Sequence, residues 1–155
     1  MHGPAATRAA AWFGAGPEVD DVVQEAFVKA WQGLGRFRTD APFRPWLMRI
    51  VANQTRNTIR SRRRRDALAL RALDPSVPPD PAQSAEAAAR DAVLLEAVRR
   101  LRPEQRDVVV CRWFLGLDEA GTATALGIPR GTAKSRASRA LARLREELSE
   151  TEVAL

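Results

Sequence analysis

Between Asp74 and Ala85 the chain reads DPSVPPDPAQSA, and four of its ten prolines fall there. Proline locks φ and removes a backbone donor, so no helix or central strand runs through such a stretch. It favours an extended, semi-rigid connector. The 155 residues therefore divide into an N-terminal unit at 1–73, the connector at 74–85 and a C-terminal unit at 86–150. No internal repeat relates the two units.

Both units read as helical, so the expected fold class is all-α: two small helical domains on a Pro-rich linker. In PEVDDVVQEAFVKAWQGL, the residues Val19, Val22, Val23, Ala26, Phe27, Ala30 and Trp31 recur at helical spacing and form an apolar stripe. Pro17 suits a first turn, and Gly33 and Gly35 stop the helix. After the loop RFRTDAPFRP a second helix places Trp46, Leu47, Ile50, Val51 and Ile59 inward. Arg49, Arg56, Arg60 and Arg62 to Arg65 are expected on its outer side and far end.

The C-terminal unit opens with SAEAAARDAVLLEAVRRL, a helix that Ser84 can cap. PEQRDVVVCRWFLG is the next. LDEAGTATALG is a short helix closed by Gly127. A longer helix then follows the turn Gly127-Ile128-Pro129, which makes a helix-turn-helix. At about 100° per residue, Ala133, Ala137, Ala140, Leu141, Leu144 and Leu148 share its inner side. Gly131, Ser135, Ser138, Arg139 and Ala142 lie opposite, flanked by Lys134 and Arg136. A solvated helix usually mixes Glu and Lys at i,i+4 spacing. Here the acids wait until Glu146, and small donors edged by cations suit a major groove.

Charge separates the regions. The net charge is +6 and the pI about 11.0, which favours an anionic partner, nucleic acid before membrane. Pro17 to Trp31 carries four acids against Lys29, whereas Arg36 to Arg65 carries ten arginines against Asp40. One cysteine, Cys111, and one histidine, His2, exclude an intramolecular disulfide and a Cys/His metal cluster. Cys111 sits in an apolar run and reads as a packed thiol. No cofactor, metal or catalytic constellation is expected. With no membrane span or signal peptide in the sequence, a cytoplasmic location is expected.

These segments resemble bacterial RNA polymerase sigma factors of the extracytoplasmic-function group of the sigma-70 family. DDVVQEAFVKAWQGLGRF is similar to that group's core-polymerase-binding segment. PFRPWLMRIVANQTRNTIRSRRRR is similar to the promoter-melting segment. LRPEQRDVVVCRWFLGLDEAGTATALGIPRGTAKSRASRALARLRE is similar to the C-terminal domain, including G-I-P-x-G-T-x-K-S-R.

The resemblance implies a sigma factor without catalysis of its own. Its acidic helix would dock on the clamp coiled coil of core RNA polymerase through Asp21, Gln24 and Glu25. Arg36, Phe37, Arg38, Phe43, Asn53, Arg56, Asn57 and Arg60 would meet the melted −10 strand and the adjacent duplex of promoter DNA, with Arg62 to Arg65 on duplex phosphate. Arg130, Thr132, Lys134, Ser135, Arg136, Ser138 and Arg139 would read the −35 element through its major groove. An anti-sigma factor is the further implied partner; a membrane is not. The alternatives are a stand-alone helix-turn-helix regulator that does not engage the polymerase, and a protein that sequesters an anti-sigma factor. The DDVVQEAF helix speaks against the first.

Three departures from the family accompany this. Only MHGPAATRAAAWFGAG precedes the acidic helix, where the family has a further helix. A late start or a truncated first helix is therefore expected, with Trp12 and Phe13 short of packing partners. Gly121 stands inside a helix, at a cost of about 1 kcal/mol relative to Ala. Thr122, Ala125, Ala133 and Ser138 stand where larger side chains are usual.

Overall fold

The computed structural model describes residues 2–66 and 85–153. They form seven α-helices and no strand: α1 (Gly3–Trp12), α2 (Val19–Gly33), α3 (Phe43–Arg65), α4 (Ala85–Arg100), α5 (Pro103–Val109), α6 (Glu119–Leu126) and α7 (Arg130–Val153). The connector, apart from Ala85, and the expected cap Ser84 lie outside the described residues.

α3 organises the molecule because it has three working faces. Leu47, Val51 and Thr55 are fully buried and recur at i,i+4 on the face toward α1 and α2. Pro45, Arg49 and Arg56 lie on a second face, and α6 rests there in the most extensive contact between any two helices. Trp46, Ile50, Asn53 and Asn57 form a third face that opens to solvent. Most of the buried apolar side chains of both units belong to one cluster. Each large aliphatic member stabilises the fold by about 1.5–3 kcal/mol.

The N-terminal residues form a ten-residue helix, and Trp12 and Phe13, expected to be short of partners, are buried. Ala6, Ala9 and Ala10 of α1 have no exposed surface, and Trp12 is 2% exposed. Alanine lets α1 approach α2 and α3 closely. The partners that Trp12 needs come from the C-terminal unit: the Phe114 ring at 5.3 Å and the Arg99 guanidinium 5.8 Å from its ring centre.

The apolar stripe of α2 is narrower than expected. Val22, Ala26 and Ala30 fill the buried arc. Phe27 and Trp31 face outward, Trp31 at 78% exposure. The small inner residues at i,i+4 already complete the contact, which leaves no space for a ring.

In the C-terminal unit α5 runs into a π-helical turn, Val110–Phe114, where the Leu115 N–H reaches the Val110 carbonyl at 2.9 Å. Cys111 lies there fully buried, and burial pushes its thiol far above the ordinary range. Asp118 caps α6 by accepting the Gly121 N–H at 2.6 Å. Gly127 ends α6 at φ 65°, a conformation open to glycine at little steric cost. A Cβ at Gly121 would be crowded from both units, 3.0 Å from the capping Asp118 Oδ1 and 3.1 Å from Pro45 Cγ.

Candidate nucleic-acid interface

The open face of α3 and the end of α2 enclose a pocket of about 440 Å³, lined by Lys29, Gly33, Arg36, Trp46, Ile50, Asn53, Gln54 and Asn57. A concave space of this size is within the range that holds a small ligand. The spacing 46, 50, 53, 57 puts its ring, its aliphatic wall and its two amides on one helical stripe. Lys29 donates to the Gln54 carboxamide oxygen, which holds a cation at the pocket wall.

The loop before α3 adds rings to this edge. Phe37 lies 4.8 Å from Trp46, Phe43 lies 5.4 Å from Trp46, and the two phenylalanines meet at 5.6 Å. The three form one aromatic cluster, partly buried and partly open, beside the basic rim. Arg36 joins the pocket, while Arg38 is exposed and paired with Asp40 at 2.9 Å. Arg60 is exposed. Among the expected N-terminal contacts, the pocket therefore gathers Arg36, Asn53 and Asn57. Lys29, Trp46, Ile50 and Gln54 are further lining residues. Lys29 was legible as a lone cation in an acidic helix, but its reach to α3 was not.

Arg56 is placed differently. It donates to the Leu126 carbonyl at 3.3 Å, at the end of α6, and approaches Asn53 Oδ1 at 3.5 Å. Arg62 is likewise withdrawn from the basic run. Its side chain is 16% exposed, pairs with Glu18 at 3.0 Å, and donates to the carbonyls of Gly14 (3.4 Å) and Ala15. It thereby adds a donor to two carbonyls in the turn after α1, one of which, Ala15, also accepts the Glu18 N–H at 3.2 Å. Arg63, Arg64 and Arg65 are exposed.

On α7 the inner side is made by Ala133, Ala140 and Leu144, all buried. Arg130, Lys134, Ser138 and Arg139 are exposed, and Ser135 and Thr132 are half-buried, with the Ser135 hydroxyl donating to the Thr132 carbonyl at 3.1 Å. Arg130 reaches back to Glu119 at 3.5 Å. Arg136 is half-buried, next to the packed side and not at the centre of the outer face.

Asp107 of α5 marks that packed side. Burial raises its carboxyl from 3.8 to about 6, opposed by the charges of Arg106, Arg56 and Arg136 and reinforced by Glu104. One of its oxygens has no hydrogen-bond partner.

The acidic face of α2 is also in place. Asp21, Gln24 and Glu25 are exposed, alongside the exposed apolar side chains of Phe27, Val28 and Trp31. A charged and apolar surface of this kind fits a protein partner. Among the described residues no group of His, Cys, Asp and Glu is placed to hold a metal ion, and no helix is long and apolar enough to cross a membrane.

Comparison with known proteins accounts for this division of surfaces. Residues 1–65 match the family described as Sigma-70 region 2, and residues 91–144 match Sigma-70, region 4. The RNA polymerase sigma factor NccH of Alcaligenes xylosoxydans xylosoxydans is 36% identical over 160 residues, covering 98% of this chain and 85% of that protein. CnrH of Cupriavidus metallidurans is 36% identical over 154 residues, covering 92% and 80%. The sigma factor RpoE of Bartonella quintana, solved with the anti-sigma factor NepR, superposes with a TM-score of 0.80 at 26% identity over 94% of this chain and 91% of that one. CnrH solved with the cytosolic domain of CnrY gives 0.66 at 33% identity over 96% and 83%. These relatives set aside the stand-alone regulator. The two-unit helical fold, its basic surfaces and these matches together identify the chain as a member of the extracytoplasmic-function group of the sigma-70 family, a sigma factor that directs RNA polymerase to promoters.

Proposed function

We propose that the two units divide promoter recognition by the physical state of the DNA they meet. The pocket of α2 and α3 takes an unpaired base of the −10 element, with Asn53 and Asn57 bonding its edge and Arg36 and Lys29 near the backbone. Trp46 supplies a ring to stack against. Aromatic stacking and cations that track phosphate are what a melted strand requires. The outer face of α7 enters the major groove of the −35 duplex, with Lys134, Ser135, Ser138 and Arg139 toward base edges. Arg130, Thr132 and Arg136 sit at the helix start and flank, where phosphate is the nearer target. The acidic and apolar face of α2, through Asp21, Gln24 and Glu25, docks on the clamp coiled coil of core polymerase.

The observation that carries this reading is the pocket: Arg36, Trp46, Asn53 and Asn57 converge on one concave space. The chain supplies no chemistry of its own, works beside the polymerase in the cytoplasm, and binds an anti-sigma factor as RpoE of Bartonella quintana does. Run-off transcription with core polymerase, with and without the chain, tests the assignment as a whole. Asn53→Ala tests the pocket: permanganate reactivity of the melted strand should fall about tenfold, equivalent to one lost base contact of roughly 1–3 kcal/mol, while binding to the closed duplex holds. Equal loss in both steps would return Asn53 to a structural role.

A further inference from the structure

We propose, taking the pocket of α2 and α3 as the seat of an unpaired base, that Lys29 sets which base it accepts. By holding the Gln54 carboxamide through its oxygen, Lys29 leaves the NH2 group as the end offered to the base. The pocket thereby selects a base edge with two adjacent hydrogen-bond acceptors.

The orientation follows from what each group can donate. An ammonium has three N–H donors and no acceptor, so the atom of Gln54 that meets Lys29 Nζ is the carboxamide oxygen. With its oxygen committed, the planar amide has only its NH2 left to offer. Lys29 reaches across to Gln54, 25 residues away, and not to Glu25 at i−4 on its own helix, the usual partner at that spacing. Asn53 is turned in the same sense. Arg56, likewise a donor only, approaches Asn53 Oδ1 at 3.5 Å. Both amides line the pocket, and Arg36 adds a third donor to its lining. Among the described residues neither amide NH2 has a partner. Two cations thus stand behind two amides whose free ends are donors, and Lys29 keeps two N–H groups for phosphate.

A pocket walled by donors separates the bases by their edges. Guanine presents O6 and N7 side by side, whereas adenine carries the N6 amino group where guanine has O6. Cytosine has adjacent acceptors at O2 and N3, whereas thymine carries an N–H at N3. An amino group or N–H set against an amide NH2 leaves both donors without an acceptor. A site built to hydrogen-bond its ligand rejects such an analogue strongly. Guanine and cytosine are the favoured occupants, and adenine and thymine are disfavoured.

The test binds the full chain with core polymerase to bubble duplexes in which each unpaired position of the −10 element is varied in turn. At one position guanine should exceed adenine, or cytosine should exceed thymine, by about tenfold in affinity. The pair that shows the preference tells a purine seat from a pyrimidine seat. Lys29→Met keeps the aliphatic stem and frees the amide to turn either way. It should weaken binding of all four bases through the lost charge and shrink the ratio at that position toward parity. Gln54→Glu keeps the tie to Lys29 and puts an acceptor where the NH2 stood, so the preference should turn toward adenine or thymine. A Lys29–Gln54 pair that only joins the helices would lower affinity for every base and leave the ratio unchanged in both variants, which overturns the proposal. A parent preference for adenine or thymine also overturns it, and a loss of bubble binding in Asn53→Ala would then leave the pocket standing as a base site. Equal binding of all bases at every position, with Asn53→Ala silent as well, overturns the pocket reading and this proposal together.

Discussion

From Arg56 to Arg65, α3 carries six arginines; from Arg130 to Arg145, α7 carries five arginines and a lysine. In sequence the two helices look interchangeable. In the fold α3 is packed on two sides, by α1 and α2 and by α6, whereas α7 leaves one broad side open. Arg62 falls at i+11 from Val51 and i+7 from Thr55, on the stripe that faces inward, and there it binds two carbonyls and Glu18. Arg56 falls on the side covered by α6. On α7 the exposed cations, Arg130, Lys134, Arg139, Arg143 and Arg145, avoid the Ala133, Ala140 and Leu144 stripe, and only Arg136 is drawn toward the packed side. The lesson is that a basic run is a set of separate residues whose register against the neighbours selects phosphate or protein for each one.

The largest effect should come from Arg62. Removing one partner of a partly buried ion pair, together with its hydrogen bonds to the Gly14 and Ala15 carbonyls, costs about 3 kcal/mol. Arg62→Ala should lower the denaturation midpoint accordingly and leave the salt dependence of DNA binding unchanged. Arg62→Lys should recover less than half, because one ammonium cannot reproduce the guanidinium fork. A lowered salt slope with normal stability would place Arg62 back on phosphate and erase the contrast between the helices.

Next in size is Asp107, which lies among Arg56 of α3, Arg136 of α7, and Glu104 and Arg106 of its own helix. Its carboxyl is raised from 3.8 to about 6 by burial. The folded state therefore holds the proton more tightly than the unfolded chain. Its favourable contribution is complete below 3.8 and fades as pH rises toward 6, and at neutral pH the buried charge costs up to about 3 kcal/mol. Asp107→Asn should raise the melting temperature relative to the parent at pH 7.5, with the difference shrinking toward pH 4.5. A difference that is flat across this range would mean that the surrounding arginines fully compensate the carboxylate.

The smaller effects distinguish two arginines within α7. Arg139→Ala should lose about tenfold in discrimination, near 1.4 kcal/mol, at one or two positions of the upstream element. Arg145→Ala should weaken all sequences alike by less than about 1 kcal/mol and lower the salt slope by about one. A binding series over single-base variants at two salt concentrations reads both. Uniform loss for Arg139→Ala would make α7 a phosphate clamp and move base reading to Lys134, Ser135 or Ser138.

Much of this was legible in the chain. Helices α2 to α7 were legible in the sequence, whereas α1 was not; Pro17 and Gly33 mark the ends of the acidic segment, and Gly127 with Pro129 marks the turn before α7. Asn53 and Asn57 came from the family resemblance and not from periodicity. Lys29 and Gln54 were not legible, because their meeting joins two helices 25 residues apart, and periodicity carries no information about the rotation of one helix against another. Phe27 and Trp31 were misplaced for a related reason. A stripe of seven apolar residues on α2 exceeds the arc that two close neighbours can cover, and the sequence does not say which edge is left out.

Local chemistry was sufficient for the class of fold and the separation of charge, since helix periodicity, proline, glycine and net charge act over a few residues. Packing between distant segments assigned the remaining roles. Gly121 reads as a weak point in a helix until its capping Asp118 and, from the other unit, Pro45 are set against it, and Trp12 reads as an orphan until Phe114 arrives from the far side of the connector. Such contacts depend on how two preformed surfaces orient in space, a choice made by shape and close packing across the whole core.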